Sequence, residues 1–355
     1  MKYLKIIWQN IVKEYLVIIR KPAGLIFWIV LPFTILVVFG VSFPGGFLEI
    51  KRAPVVILED GNNQVLVDSV KERISSEYFS ITIKKGDDSI LRELVAGENY
   101  MLGIYPTMSG YDVKTFIVVD NSNPLAEGPV LNTLTNKLKG DRGVFVERIN
   151  LYKEDFGFVG YLFPGIIAIG IMFISLNVAS MGVIRERILG SLERILSAPS
   201  PLWLFLISKY LAYIVLASIS GILVLAAGNI LFNIPISGSI WLVILLEVFT
   251  ALPFIGLALA ASIIGKSEFE SQAIANFIAI PLMFISGVFF PVQCMPNYIR
   301  TVAEILPLTF SVDALRDVII KGLGYSDIIY AFGALSLYAL LFFILVILIF
   351  RKRKK

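Results

Sequence analysis

The chain contains no histidine and a single cysteine, Cys294, in 355 residues. These absences exclude an intrachain disulfide, a zinc site built from Cys and His, and every catalytic triad that depends on histidine. Charge is scarce as well: Asp, Glu, Lys and Arg make up 16% of the residues, whereas soluble domains carry about a quarter. Hydrophobic residues account for 57%. One soluble core cannot bury that much apolar surface, so we expect lipid to surround much of the chain.

Six stretches have the length and composition of membrane-spanning helices, which need about 20 mostly apolar residues to cross a hydrocarbon core of about 30 Å. They are Leu25–Phe43, Tyr161–Val183, Leu204–Phe232, Ile240–Ile264, Ala273–Phe290 and Tyr330–Phe350. The sequence therefore predicts an α-helical polytopic membrane protein with six transmembrane helices. The first helix takes residues 23–43, and the other five lie within residues 159–355.

Lys and Arg are divided unequally between the two sides that six spans define. The short loops on one side hold only Arg300, Arg316 and Lys321. The side with both termini holds all the other basic residues outside residues 44–158, among them Arg185, Arg187, Arg194 and Arg351–Lys355. Because cytoplasmic loops retain positive charge, we predict a multi-pass protein with both termini cytoplasmic. The sequence has no Asn-x-Ser/Thr site for glycosylation, which favours the cytoplasmic (inner) membrane of a prokaryote.

Residues 44–158, between the first two spans, hold 13 of the 31 basic and 17 of the 27 acidic residues. Short runs of β-type residues alternate there with helical patterns, the last of which is a helical stretch over Leu125–Arg148. This alternation predicts a small α/β domain, which the orientation above makes extracytoplasmic. The domain is acidic and the basic residues lie at loops and ends, so nucleic-acid binding is not indicated.

Two further segments are amphipathic. Residues 1–22 have apolar side chains at spacings of three and four, which predicts a helix in the cytoplasmic membrane interface that stops at Pro22; the start of a longer first span is the alternative. Residues 291–322 are too polar to span and too apolar for a free loop. They predict two short helices broken at Pro307, either a hairpin dipping into the outer leaflet or ordinary surface helices.

Three polar residues fall inside predicted spans. Glu247 needs a partner or a wet cavity, so it either lines a pathway or binds a proton, or hydrogen-bonds to a neighbouring helix. Asn177 and Asn276 have the same two interpretations. Because Glu247 has no second acidic residue at its depth, we assign no catalytic residue and no metal site. The triplet Gly265-Lys266-Ser267 lacks the earlier glycine of a phosphate loop, so any ATP hydrolysis must come from another polypeptide.

The cytoplasmic loop at residues 184–200 opens with alternating charges, continues with an amphipathic pattern and ends at prolines. It predicts a short rigid helix projecting from the membrane, with a basic anchor that has no partner as the alternative. Arg185-Glu186 followed by Gly190-Ser191-Leu192-Glu193 resembles a motif of permease subunits of type-2 ABC transporters, the drug and polysaccharide exporters. The stretches Phe163–Ile166, Phe284–Pro296 and Ile305–Asp317 are similar to other signatures of that family, so the resemblance covers nearly the whole chain.

The resemblance implies that two permeases, in the simplest case identical, pair in the lipid membrane and bind separate cytoplasmic ATPase subunits that hold ATP and Mg²⁺. The permease itself would then be a transport subunit and not an enzyme. The resemblance also implies that the loop transmits nucleotide-driven closure; the candidate coupling residues are Arg185, Glu186, Arg187, Gly190, Ser191, Leu192, Glu193 and Arg194. The expected cargo is an amphipathic or hydrophobic compound that is drug-like, a lipid or glycan-linked. The alternative function is a membrane-anchored receptor or binding protein that acts through the extracytoplasmic domain.

Overall fold

The computed structural model describes residues 2–19, 22–42, 53–61, 63–74, 79–86, 88–97, 100–109, 112–120, 130–138, 144–150, 157–197 and 201–353. The chain forms two compact units. One comprises Met1–Val38, Leu162–Phe290 and Thr301–Lys355, and the other comprises Phe39–Tyr161 and Pro291–Arg300. The helices are α1 (Lys2–Ile19), α2 (Pro22–Ser42), α3 (Gln64–Ile74), α4 (Asp88–Ala96), α5 (Leu131–Leu138), α6 (Gly157–Ser180), α7 (Gly182–Ile188), α8 (Ser191–Ser197), α9 (Leu202–Phe232), α10 (Ile240–Ile264), α11 (Glu268–Ile285), α12 (Asn297–Ala303), α13 (Pro307–Ile319) and α14 (Tyr325–Arg353).

Four helical stretches are long and apolar enough to cross a membrane: Phe158–Ile188, Leu202–Phe232, Ile240–Ile264 and Tyr325–Lys352. The prediction of a mostly helical polytopic membrane protein is therefore confirmed. A shorter apolar stretch, Ile26–Val38, lies within α2. The predicted span Ala273–Phe290 corresponds to α11, which begins with two acidic residues in its first turn and ends at Ile285. It ends there because Gly287 adopts a left-handed backbone with φ of +81°, which a helix cannot continue through.

The helix α6 is the centre of the first unit, since 94% of the most apolar 18-residue stretch of Phe158–Ile188 is buried. Close approach to α6 depends on small residues: a Cβ atom added at Gly228 of α9 would lie 2.0 Å from the ring of Phe163. On another side, Trp28 of α2 stacks on Phe173, with ring centroids 5.6 Å apart. By contrast, only 17% of the most apolar 18-residue stretch of α14 is buried. The rest of the described chain therefore leaves most of the apolar surface of the last helix uncovered.

A five-stranded sheet forms the core of the second unit, in the order β2-β1-β3-β4-β5. Its strands are β1 (Ala53–Glu59), β2 (Phe79–Lys85), β3 (Leu102–Ser109), β4 (Asp112–Val119) and β5 (Val144–Asn150). The pairs β1–β2, β1–β3 and β4–β5 are parallel, and the β3–β4 hairpin is antiparallel with Leu102 opposite Val119. Helices α3 and α5 cover one face of the sheet, and α4 packs its Leu91 and Val95 on the other.

The helical stretch predicted over Leu125–Arg148 is wrong in its second half. Its helical part among the described residues is α5, and Val144–Asn150 form the strand β5 instead. The cause is pairing: β5 runs alongside β4 with Val113 opposite Val144 and Val119 opposite Asn150. A segment with a weak local preference adopts the conformation that a neighbouring strand can hydrogen-bond. The sequence-based prediction continues the helical pattern of the preceding residues too far, into the segment that forms β5.

Residues 291–322 contain a single 3₁₀ turn at Val292–Cys294 followed by α12 and α13. The second helix begins at Pro307, which occupies the first helical position, where a missing N–H costs nothing. The predicted break at Pro307 therefore coincides with the start of α13. Within the second unit, Cys294 packs against the sheet core with its Sγ 3.8 Å from Sδ of Met101. Burial raises the pKa of this thiol to about 12, which disfavours the reactive thiolate form.

Candidate functional site

The loop between α6 and α9 consists of two short helices instead of the single helix predicted over residues 184–200. The first, α7, ends where the amide of Gly190 donates to the carbonyl of Arg187 at 3.0 Å. Gly190 has a φ of +66°, a left-handed conformation that glycine adopts without strain, and α8 starts at the next residue. Residues 198–200 lie outside the described part of the chain. The glycine of the sequence motif therefore makes the bend between the two helices.

Arg185 and Arg187 bind the junction between α10 and α11. The guanidinium of Arg185 contacts both carboxylate oxygens of Glu268, Nε to Oε1 at 3.1 Å and Nη2 to Oε2 at 3.3 Å. Arg187 donates to the carbonyls of Ile263 at 2.9 Å and Gly265 at 3.1 Å. These carbonyls lie at the C-terminal end of α10, where the helix dipole favours a cation. Both arginines therefore tie α7 to the ends of two neighbouring helices.

Backbone contacts hold α7 to α10 as well. The hydroxyl oxygen of Ser262 accepts hydrogen bonds from the amides of Val183 and Ile184, at 2.8 and 2.9 Å. These amides belong to the first turn of α7, where no intrahelical partner is available. Ser262 is completely buried, so the contact is shielded from water.

Glu186 is buried and belongs to a cluster of charged side chains that we call the inner ion cluster: Lys13, Glu14, Glu186 and Lys209. Lys13 and the hydroxyl of Ser191 both donate to the Glu186 carboxylate. The ammonium of Lys209 lies 3.6 Å from Oε1 of Glu186 and 2.5 Å from Oε1 of Glu14. The cluster joins α1, α7 and α9, because each of these helices contributes at least one of its members.

Two further groups complete the hydrogen bonding of the inner ion cluster. Lys209 donates to the carbonyl of Gly182 at 2.9 Å, and the hydroxyl of Tyr213 donates to Oε2 of Glu14 at 2.7 Å. Gly182 cannot carry a side chain here, since an added Cβ would lie 2.3 Å from the Tyr213 hydroxyl. Buried charges are tolerated only when they are paired and hydrogen-bonded, and Glu14 and Lys209 meet both conditions.

Lys13, Glu14, Lys209 and Tyr213 were not among the coupling residues predicted from the sequence. One signal was available for Glu14, which is an acidic residue on the same face of α1 as Ile7, Ile11 and Ile18. A lysine at position 209, inside an apolar run, is a similar signal. Neither signal identifies the partner, because the two residues are 195 positions apart.

The opposite side of the loop carries exposed residues, which we call the outer loop surface: Ile188, Leu189, Gly190, Glu193 and Arg194. Ile188 is 60% exposed and Leu189 72%, whereas Leu192 is buried. Phe269, which follows the Arg185 partner Glu268, is 82% exposed. Exposed apolar side chains beside charged ones are typical of a protein-binding surface. The eight candidate coupling residues thus divide into an inward set, bound to this chain, and an outward set.

The polar residues predicted inside spans occupy two places. Asn177 of α6 and Asn276 of α11 form a reciprocal amide pair, with N···O distances of 3.2 and 2.9 Å. Such a pair joins two helices in an apolar environment. Glu247 of α10 is fully buried against Gly221 of α9. Among the described residues neither oxygen of Glu247 has a hydrogen-bond partner, and no group of His, Cys, Asp and Glu that could hold a metal ion occurs there.

A third charged group lies in α13 and the segment that follows it. Lys321 Nζ lies 2.9 Å from Oδ1 of Asp317, and both side chains are almost completely buried. Arg316 pairs with Asp313 at 3.5 Å and donates to the carbonyl of Gly287 at 3.2 Å. Burial raises the pKa of Asp317 to about 7, with a further contribution from the charge of Asp313, and lowers the pKa of Lys321 to about 8. The hydrogen bond from Arg316 fastens α13 to the turn after α11, whereas both ion pairs lie within α13 and the residues that follow it.

Comparison with known proteins identifies the family. Residues 22–348 match the sequence model described as ABC-2 family transporter protein. The chain is 23% identical over 341 residues to the probable multidrug ABC transporter permease YbhS of Escherichia coli, covering 89% of each chain. It is 26% identical over 194 residues to the inner membrane transport permease YhhJ of Escherichia coli, covering 54% of this chain and 52% of the relative.

A eukaryotic relative matches over a shorter part. ABC transporter G family member 20 of Dictyostelium discoideum is 30% identical over 202 residues, which cover 56% of this chain and 27% of the relative. The chain thus spans only about a quarter of that protein but most of YbhS. The resemblance that begins at the Arg185-Glu186 motif is confirmed by the match across residues 22–348, and the chain belongs to the ABC-2 family of transporter proteins.

Proposed function

We propose that the chain is the membrane-spanning permease subunit of an ATP-driven exporter in the inner membrane of a prokaryote. Six helices cross the bilayer: the four long apolar ones and, in addition, α2 and α11. Both termini and the α7–α8 loop are cytoplasmic, and the sheet unit is extracytoplasmic. ATP and Mg²⁺ bind to a separate ATPase subunit. The cargo is an amphipathic or hydrophobic compound, a proposal supported by the word multidrug in the names of two permease relatives.

The observation that carries this proposal is the division of the α7–α8 loop into two sides. The outer loop surface offers Ile188 and Leu189 together with Glu193 and Arg194, none of which is buried by this chain. The ATPase subunit packs on this surface and on the neighbouring Phe269. Apolar side chains supply contact area, and the charged pair sets orientation.

The inward side of the loop explains how movement of an ATPase would reach the spans. Arg187 reaches the end of α10, Arg185 the start of α11, and Glu186 lies next to Lys209 of α9 and accepts from Lys13 of α1. A displacement of the loop therefore acts on four helices at once. Packed helices respond to such a force by moving as rigid bodies.

We propose further that two copies of the chain pair in the membrane through α11. Phe277, Ile280 and Phe284 lie at spacings of three and four on this helix and are all at least half exposed. They form an apolar stripe that could face either lipid or a second copy of the chain, and we favour the second copy. The receptor alternative gains no support, because the family match runs through the spans and the sheet unit alike.

The experiment is co-purification of the tagged chain with its genomic-neighbour ATPase in lipid nanodiscs, followed by measurement of ATP hydrolysis. Glu193→Arg reverses a charge on the outer loop surface, and Glu72→Arg makes the same change on an exposed position of α3 as the control. We expect Glu193→Arg to lose ATPase binding or permease-dependent hydrolysis while the control keeps both. If the ATPase neither binds nor responds to the wild-type chain, the permease assignment fails.

A further inference from the structure

The carboxyl group of Glu247 is the least satisfied polar group among the described spans. It lies in the first third of α10, is fully buried, and has no hydrogen-bond partner among the described residues on either oxygen. A Cβ atom added at Gly221 would lie 2.6 Å from Cδ of Glu247, and 2.7 and 2.9 Å from its two oxygens. The carboxyl thus rests against bare backbone of α9, where nothing donates to it.

Helix periodicity places two hydroxyls about one turn from Glu247 along the seam between α9 and α10. The helices are antiparallel in register, since Gly221 faces Glu247 and Gly256 faces the hydroxyl of Tyr210. Thr250, three residues after Glu247, therefore lies level with Ser218, three residues before Gly221. The hydroxyl oxygens of Thr250 and Ser218 are buried without hydrogen-bond partners among the described residues.

Three unpaired acceptor groups, one of them a carboxyl, indicate which kind of ligand would bind in this seam. The carboxyl can ionise in this apolar seam only beside a positive charge, and each unpaired hydroxyl is costly as well. A primary ammonium group carries one positive charge and three N–H donors, one for each of these groups. A metal ion such as Ca²⁺ requires six or more oxygen ligands, which the seam does not supply.

We propose that Glu247, Thr250 and Ser218 form a subsite for the ammonium group of a cationic amphiphile. This inference rests on the proposed function and names the substrate class: amphiphiles with a primary amine. The apolar tail lies along the lipid-facing side of α9, where Val215, Ile219 and Ile222 are exposed. The ligand enters by separating α9 from α10 at Gly221. This step breaks no hydrogen bond of the carboxyl, because that group makes none.

Binding can be measured without the ATPase. The full-length chain in nanodiscs is dialysed against radiolabelled octylammonium, with neutral octanol as the matched probe and empty nanodiscs as background. We expect saturable uptake of octylammonium by wild type, a loss of affinity of about tenfold or more in E247Q, and equal octanol uptake by both. E304Q, which removes an exposed carboxylate on another segment, should bind as wild type does.

Two further variants keep the test valid if E247Q does not fold. Thr250→Val with Ser218→Ala removes both hydroxyls, and Gly221→Ala places a methyl group where the carboxyl now lies; both should weaken octylammonium binding. Absence of saturable uptake by wild type, or uptake by E247Q equal to wild type, overturns the subsite. ATPase co-purification from the same samples separates the two ideas: if the ATPase binds but octylammonium does not, only this inference fails.

Discussion

The ammonium of Lys209 lies 2.5 Å from the carboxylate of Glu14, so an ion pair almost fully withdrawn from water joins α9 to the N-terminal helix α1. Removal of one partner from such a pair leaves an uncompensated buried charge, which costs about 3–5 kcal/mol. We therefore expect Lys209→Met to lower the melting temperature or the yield of folded protein sharply. Fluorescence-detected size exclusion after heating measures this effect. Lys266→Met, which removes an exposed lysine, is the control and should leave the melting temperature unchanged.

The pair should also show strong coupling between the two positions. Glu14→Gln combined with Lys209→Met removes both charges, so the double variant should be more stable than Lys209→Met alone. Simple addition of the two single effects would show that Glu14 and Lys209 do not interact energetically.

Exposed apolar residues of the outer loop surface should matter for partner binding and not for folding. Ile188→Ser with Leu189→Ser removes side chains that this chain leaves open to solvent, so the free energy of unfolding should change by less than about 1 kcal/mol. Affinity for the ATPase should fall by about tenfold or more, because truncated interface anchors commonly cost over 1 kcal/mol. Biolayer interferometry with immobilised permease nanodiscs measures the affinity. Val65→Ser changes an exposed residue of α3 and should not alter it.

The Arg185–Glu268 pair should affect the transmission of movement from the ATPase to the spans more than it affects binding of the ATPase. Arg185→Glu breaks the contact between α7 and the start of α11, so we expect ATPase binding to persist while permease-dependent hydrolysis falls. Adding Glu268→Arg restores the opposite charges and should recover part of the hydrolysis rate. A double variant no better than Arg185→Glu alone would show that the contact does not carry the coupling.

The ionisable groups of α13 and the segment after it predict a pH dependence of stability. The folded-state pKa values of Asp313 and Asp317 are raised to about 6 and about 7, so their contribution to stability is full in acid and is lost as pH rises through these values. The folded-state pKa of Lys321 is lowered to about 8, so its contribution is full at high pH and is lost as pH falls through 8. The melting temperature should therefore be lowest near pH 7–8.

Asp317→Asn provides the check on that pH profile. It removes the carboxyl with the larger of the two pKa shifts, so the decline in melting temperature between pH 5 and pH 8 should become shallower. Asp68→Asn, at an exposed position of α3, should leave the profile as in wild type. Equal slopes in wild type and Asp317→Asn would assign the pH dependence to other groups.

Pairing through α11 can be tested by crosslinking. In a Cys294→Ala background, Phe277→Cys places one thiol on the exposed stripe, and oxidation should yield a covalent dimer in nanodiscs that hold two copies. Val215→Cys on the exposed side of α9 is the matched control and should crosslink poorly. Preferential crosslinking at Val215 would place the contact between copies elsewhere.

Long-range features of the site could not be predicted from the sequence, although much of the fold could. Hydropathy identifies the long helices, because twenty apolar residues have few alternatives in a membrane. Short runs of β-type residues likewise indicate the strands β1 to β4. The strand β5 was missed, because its conformation depends on pairing with β4 and not on its own residues.

The inner ion cluster shows the limit most clearly. Glu186 was selected from its motif, yet the motif does not indicate that it faces inward to Lys209 and Lys13 instead of outward to a partner protein. Gly190 was selected from the same motif, but its left-handed backbone, which divides the loop into two helices, follows only from the structure. Residue types can be recognised locally, whereas the direction of a side chain depends on the helices around it.

The central position of α6 has a consequence for how the protein is made. Asn177 of α6 obtains its partner Asn276 only after 99 further residues have been synthesised, which takes roughly 5–20 s at the usual rate of translation. At the start of that interval α9, α10 and α11 have not yet been made, although α6 carries polar groups that are buried in the finished protein, among them Ser175 and Ser180. The nascent helix would meet lipid on faces that the finished protein never exposes. Retention at the insertion machinery until α11 emerges would protect these faces of α6.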